Sequence, residues 1–102
     1  MNKKVKNLAK SKIQLENDLI KITKYSFSPF SETKMHTHIW DYIVVPITSG
    51  NILMISHEGQ KSSSKLEKGV SYFRKAGVKH NVINNSKTDL IFIEIELKKQ
   101  SF

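Results

Sequence analysis

The sequence predicts an all-β protein, a single small barrel or sandwich of short strands. Apolar residues recur mainly with period two, the spacing at which a strand offers one side to a core. The strand-like runs are short and broken by Gly, Pro, Ser and Asn, and no stretch accommodates a long helix. A chain of 102 residues has room for one such core and not for two.

Residues 1–18 read as a basic N-terminal arm or edge segment, because Lys3, Lys4, Lys6, Lys10 and Lys12 crowd it with like charge. The barrel is expected over 19–102. Residues 19–27 (LIKITKYSF) are rich in β-branched and aromatic side chains and form a strand that Ser28-Pro29 ends, since proline cannot donate to a ladder. After a loop comes the segment MHTHI. Residues 41–47 and 51–56 make two strands joined through Thr48-Ser49-Gly50, and Glu58-Gly59 supplies the next turn. The polar, serine-rich run 60–66 suits an exposed edge strand, and Glu67-Lys68-Gly69 turns the chain into a strand at 70–74. Gly77 breaks pairing again, and strands at 80–83 and 90–97 complete the set. In the last, Ile91, Ile93, Ile95 and Leu97 share one face and Glu94 and Glu96 the other, the clearest half-buried alternation in the chain.

Composition narrows the function classes. The formal charge of +8 invites polyanions, yet 16 of the 17 basic residues are dispersed lysines and Arg74 is the only guanidinium. Groove and phosphate recognition leans on arginine's bidentate fork, so no nucleic-acid partner is expected. No apolar run approaches the roughly 20 residues that cross a bilayer, and the opening MNKKVKNLAKSK lacks the apolar stretch of a secretory signal. The reading is a cytoplasmic protein with no membrane partner. Absence of cysteine removes disulfides, thiolate metal sites and cysteine nucleophiles, so any transition metal must sit on nitrogen and oxygen.

His36-Thr37-His38 suggests the chemistry, because alternate strand residues project to one side and bring two imidazoles within reach of one ion. Two solvated histidines on an exposed strand would give the same string. A second segment, Gly69 to Asn84, brings His80 after a glycine-punctuated strand, so two separate strands offer nitrogen donors.

At these residues the chain resembles the cupin superfamily. The second cupin motif reads Gly, five residues, Pro-x-Gly, two residues, His, three residues, Asn; Gly69, Gly77, His80 and Asn84 fall at those spacings, with Lys75 in the proline's place. The first reads Gly, five residues, His-x-His, three or four residues, Glu, six residues, Gly. His36 and His38 match it, and Phe30 holds the position of its first glycine. Its glutamate is missing: Asp41 comes two residues after His38, Tyr42 and Ile43 stand where the acid belongs, and Gly50 follows at slightly longer spacing. The string HTHIWDYIVVPITSG is also similar to a subgroup of very small single-domain cupins with Asp-Tyr at this point, one of them associated with β-alanine catabolism.

The resemblance implies a double-stranded β-helix (jelly-roll) barrel holding a divalent transition metal on His36, His38 and His80, with Asp41 as fourth ligand. Tyr42 and water are its rivals for that position. A carboxylate offsets the metal's charge, whereas a phenol must first lose its proton. Imidazole with carboxylate suits Fe, Mn, Ni, Cu or Zn, and family likeness favours iron or manganese. It also implies a homodimer and a small-molecule ligand or substrate. Two function classes follow: a metal-dependent enzyme of dioxygenase, isomerase or lyase type acting on a small polar organic molecule, or a non-catalytic binding or sensing module with a structural or absent metal.

Trp40, Tyr42 and Arg74 are the candidate substrate contacts, Arg74 because a guanidinium can clamp a carboxylate. Tyr72, Phe73 and Met54 read as core filling, His57 as a solvent-exposed turn residue, and Asn84 as a side chain that satisfies turn backbone.

Overall fold

The computed structural model describes residues 7–98. They form nine strands and no helix: β1 (Lys10–Glu16), β2 (Ile20–Phe27), β3 (His36–Thr37), β4 (Asp41–Pro46), β5 (Gly50–Ser56), β6 (Lys61–Leu66), β7 (Tyr72–Arg74), β8 (Lys79–Asn84) and β9 (Leu90–Leu97). The basic run predicted at the N-terminus lies partly outside the described residues, since Lys3, Lys4 and Lys6 precede them. Lys10 and Lys12 fall on β1, an edge strand exposed along its whole length.

Two antiparallel sheets result, one in the order β1-β2-β9-β4-β7 and the other β3-β8-β5-β6. The core lies where their inner faces meet. Phe27, Tyr42, Val44, Leu90 and Phe92 come from the first sheet and Ile52, Leu66 and Val82 from the second. Tyr25, packed against this core, forms a tilted aromatic triplet with the buried Phe27 and Phe92. Predicted core fillers divide: Tyr72 and Met54 pack against the core, whereas Phe73 is 48% exposed. The polar run at β6 is the edge of the smaller sheet, as its composition suggested.

β9 carries a reversal. An alternation like 91–97 ordinarily buries its isoleucines, but here Leu90, Phe92 and Glu94 are buried and Ile91, Ile93 and Ile95 are only half-buried. Register explains it. Opposite Glu94 stand Val44 on β4 and Thr23 on β2, both buried, and directly opposed strand residues share a side of the sheet. Slipping β9 by one residue would expel Phe92 and Leu90. The outer face therefore gathers Ile20 and Ile22 from β2, Ile43 and Val45 from β4, and the β9 isoleucines.

Candidate metal centre

Three imidazoles meet at one end of the interior. His36 on β3 and His80 on β8 are directly opposed in the antiparallel register, with ring centroids 4.9 Å apart. His38 lies just beyond β3, its centroid 4.8 Å from that of His36 and 5.2 Å from that of His80. One donor nitrogen from each falls within 4.8 Å of the others. The Nε2 atoms of His36 and His38 are 3.1 Å apart. Nitrogens bound about 2.1 Å from one ion stand roughly 3.0–3.4 Å apart, so the pair is already at ligand spacing.

Backbone contacts hold each ring. The Nδ1–H of His36 donates to the Lys34 carbonyl at 2.9 Å, which leaves Nε2 with its lone pair. Lys34 adopts φ 75°, and its N–H is fixed by Asn81 Oδ1 at 2.8 Å, so a left-handed residue aims that carbonyl. His38 is clamped by the loop before β8: its N–H donates to Val78 O, and its carbonyl accepts from Gly77 N–H at 2.8 Å. Gly77 has φ 101°, a backbone state that side chains resist. The glycine of the second histidine segment thus positions a histidine of the first.

The electrostatics favour neutral donors. Burial, then the neighbouring His36 and His80, push His38 down to about 3. Burial, then His36 and Arg74, push His80 down to about 4. Both are uncharged near neutrality, as metal ligation requires. The Nε2 of His80 is buried and has no hydrogen-bond partner among the described residues. An orphaned buried nitrogen is costly, and a cation shared with the other two imidazoles would satisfy it.

The sequence reading missed the acids of β9. Glu94, 6% exposed, faces His38 with Oε1 3.9 Å from Nδ1, too long for a hydrogen bond. Burial, then Glu96, raises its pKa to about 8 despite Lys21. Glu96 is raised as well, burial again leading. His38, Glu94 and Glu96 make a second group of donors within 4.8 Å. The signal lay in the parity of β9, since Glu94 and Glu96 share a side with Phe92 and Leu90.

Asp41 belongs to neither donor group among the described residues. Its Oδ1 accepts the Ala76 N–H at 2.8 Å, tethering the loop after β7, and strand parity sets it on the opposite side of β4 from Tyr42. Tyr42 is buried and lies flat on His38, centroids 3.9 Å apart and planes inclined by 19°. Burial raises its phenol well above the ordinary value, which keeps the proton on at neutral pH. Trp40 is half-buried under the Lys98 ammonium, 5.5 Å from the ring centroid, and lines neither cleft beside the histidines. Arg74 shares the inner side with Tyr42, its register partner, and stacks over Tyr72 at 4.4 Å. His57 is exposed in the turn after β5. Asn84 is fully buried and donates to the carbonyls of Phe27, Ser28 and Thr88, a backbone role as expected.

Two clefts reach the histidines. One, of about 490 Å³, has His80, Met54, Ser56 and Ser62 in its wall. The other, of about 340 Å³, is lined by His36, His38, Glu94, Glu96, Lys21 and Tyr25 among others.

Comparison with known proteins gives close relatives. The chain is 44% identical over 86 residues to the β-alanine degradation protein BauB of Pseudomonas aeruginosa, covering 84% of this chain and 90% of that protein. A solved cupin domain from Bordetella pertussis superposes with a TM-score of 0.90 at 43% identity, covering 95% of this chain and all of that one. The polyketide cyclase RemF from Streptomyces resistomycificus shares the fold alone, with a TM-score of 0.66 at 16% identity over 97% of this chain and 81% of its own. No family model matches the chain.

Proposed function

The chain belongs to the cupin superfamily, and we propose that it binds one divalent transition metal on His36, His38 and His80 and presents it to a small polar organic molecule. The observation that carries this reading is the buried, unpartnered Nε2 of His80, on a ring that lies beside two imidazoles already at ligand spacing. Bound there, such an ion would act as a Lewis acid, polarising a ligand oxygen at its open coordination positions. The chain's own groups do the rest. Neutral imidazoles supply lone pairs, the Lys34 carbonyl fixes the His36 tautomer, and Tyr42 holds the plane of His38. The 490 Å³ cleft beside His80 lies in the size range of small-ligand sites. The name of the Pseudomonas relative points to the metabolism of small amino acids as the setting.

A non-catalytic binding module is the second reading. It is favoured by the engagement of Asp41 with Ala76, which leaves the three histidines without a carboxylate in their own group. In either reading a second copy of the chain covers the outer face of β2, β9 and β4, where isoleucines outnumber polar side chains.

Cobalt(II) titration of the metal-free chain tests the centre. One equivalent per chain, with visible d–d bands of a nitrogen-rich site, is expected. Absence of saturable bands would remove the metal from both readings.

A further inference from the structure

The segment that leads into β3 runs antiparallel to β8 and changes register on the way. Glu32 bridges to Ile83, and the Thr33 N–H donates to the Val82 carbonyl at 2.9 Å. Continued without interruption, that pairing would set His36 opposite Lys79. In the structure His36 stands opposite His80, and Thr37 opposite Lys79. One extra residue has therefore entered the ladder between Thr33 and His36, a β-bulge in which Lys34 and Met35 together oppose Asn81. The bulge decides sidedness. On β8, His80, Val82 and Asn84 are buried, while Lys79, Asn81 and Ile83 are exposed or half-buried. Opposed residues share a side of the sheet, so a strand without the bulge would turn His36 outward with Lys79, and His38, two residues on, with it. The extra residue brings both imidazoles to the side of His80.

Side chains close the bulge. Lys34 holds a left-handed backbone, φ 75°, that a lysine adopts only at a cost. Its N–H donates to Asn81 Oδ1 at 2.8 Å, and Asn81 Nδ2 donates to Oε1 of the buried Glu32 at 2.6 Å. The Val82 N–H donates to the Thr33 hydroxyl at 3.1 Å, in place of the Thr33 carbonyl that a regular ladder offers. That hydroxyl also lies 3.2 Å from His36 Nδ1, which has the Lys34 carbonyl at 2.9 Å. The bulge thus supplies the acceptor for Nδ1–H and leaves Nε2 of His36 toward His38.

We propose that Asn81 is a positioning residue of the metal centre: its amide, braced by Glu32, locks the bulge that turns His36 and His38 inward and fixes the Nδ1–H tautomer of His36. The effect on metal affinity rests on the three-histidine reading, whereas the effect on the tautomer does not. An amide suits the task and a carboxylate does not, since one end accepts from a backbone N–H while the other donates to a glutamate. Strand parity sets Asn81 on the other side of β8 from His80, so it acts on the centre without touching an ion there.

Zinc(II) titration and the ring-nitrogen NMR shifts of His36, both on the full chain, test the clamp. Asn81→Ala is expected to weaken zinc binding about ten- to hundredfold, the usual cost of losing a partner behind the ligands. In the metal-free chain it should move His36 from the Nδ1–H form to a mixture of tautomers. Asn81→Asp should do the same, because two carboxylates then meet, and it carries the test if Asn81→Ala does not fold. Asn81→Asp combined with Glu32→Gln restores one donor and one acceptor, and should recover the tautomer and most of the affinity; a general loss of stability would not be repaired by that exchange. An unchanged His36 tautomer in the single variants, or a combined variant no better than Asn81→Asp alone, would overturn the proposal. A wild type that takes no zinc, with the His36 tautomer still lost in Asn81→Ala, would refute the metal centre and support the clamp.

Discussion

The Tyr42 ring lies parallel to the His38 imidazole at 3.9 Å between centroids, so a core residue of β4 sets the plane of a histidine that no strand contains. Contact is through the ring face. Tyr42→Phe is therefore expected to keep metal affinity within about twofold, and Tyr42→Ala to lower it by roughly ten- to hundredfold, as loss of a ligand's orienting contact does. Competition with a chromophoric chelator measures both. Loss of metal in Tyr42→Phe would mean that the hydroxyl is a ligand.

Glu94 and His80 oppose each other in the pH dependence of stability. Glu94 titrates higher in the folded chain, near 8 against 4.5, so its contribution is full below about 4.5 and is lost as pH rises through 8. His80 titrates lower, near 4 against 6.5, so the unfolded chain takes up the proton first. Between pH 6.5 and 4.5 that loss offsets the gain from Glu94, about one proton each way, and His38, lowered to about 3, makes the metal-free chain less stable as pH falls. Urea unfolding at pH 4.5, 6.5 and 9 should show a maximum in the middle. Glu94→Gln should flatten the alkaline limb and steepen the acid limb, because the offsetting gain below pH 6.5 is removed with the carboxyl. An alkaline limb unchanged in that variant would assign the loss to another group.

Phe30 occupies a left-handed backbone position, φ 62°, with 56% of its surface exposed and its N–H bonded to the Asn84 carbonyl at 2.9 Å. A side chain there costs roughly 1–2 kcal/mol, and this is the position at which the cupin motif places glycine. Phe30→Gly should raise stability by about 1 kcal/mol, less the added freedom of the unfolded chain, and Tm by about 4 °C. Calorimetry decides. A lower Tm would show that the exposed ring contributes packing that outweighs the strain.

The isoleucine face of β9 predicts association. Ile95 lies between Ile22 and Ile43 on the outer side of the sheet, the middle of an apolar strip that a second copy would cover. Light scattering behind size exclusion should give twice the chain mass for the wild type and one chain for Ile95→Lys, with the fold kept because Ile95 faces outward. A monomeric wild type at micromolar concentration would reject the interface.

Much of this was legible in the residues. The strands announced themselves by period two and by their turns, and His36 and His80 could be paired because motif spacing places both on short strands that end up opposed. What failed to show was sidedness. In β9 both alternating sets contain large apolar residues, Leu90 and Phe92 against the isoleucines, so the sequence does not say which set is inside, and the buried glutamates stayed hidden. Asp41 was chosen for its charge and its closeness to His38, but one residue of strand parity puts its carboxylate on the other side from Tyr42. Residues 1–18 read as a basic arm or edge segment because they are charged, and β1 within them is an edge strand, which can carry that composition since one side of its ladder faces water.

The centre itself is tested most directly by elemental analysis of the chain prepared without a polyhistidine tag, alongside His36→Ala, His80→Ala and His57→Ala. About one equivalent of a transition metal is expected in the wild type and in His57→Ala, whose histidine sits in an exposed turn, with most of it lost in the other two. Equal metal content in all four proteins would contradict the three-histidine centre.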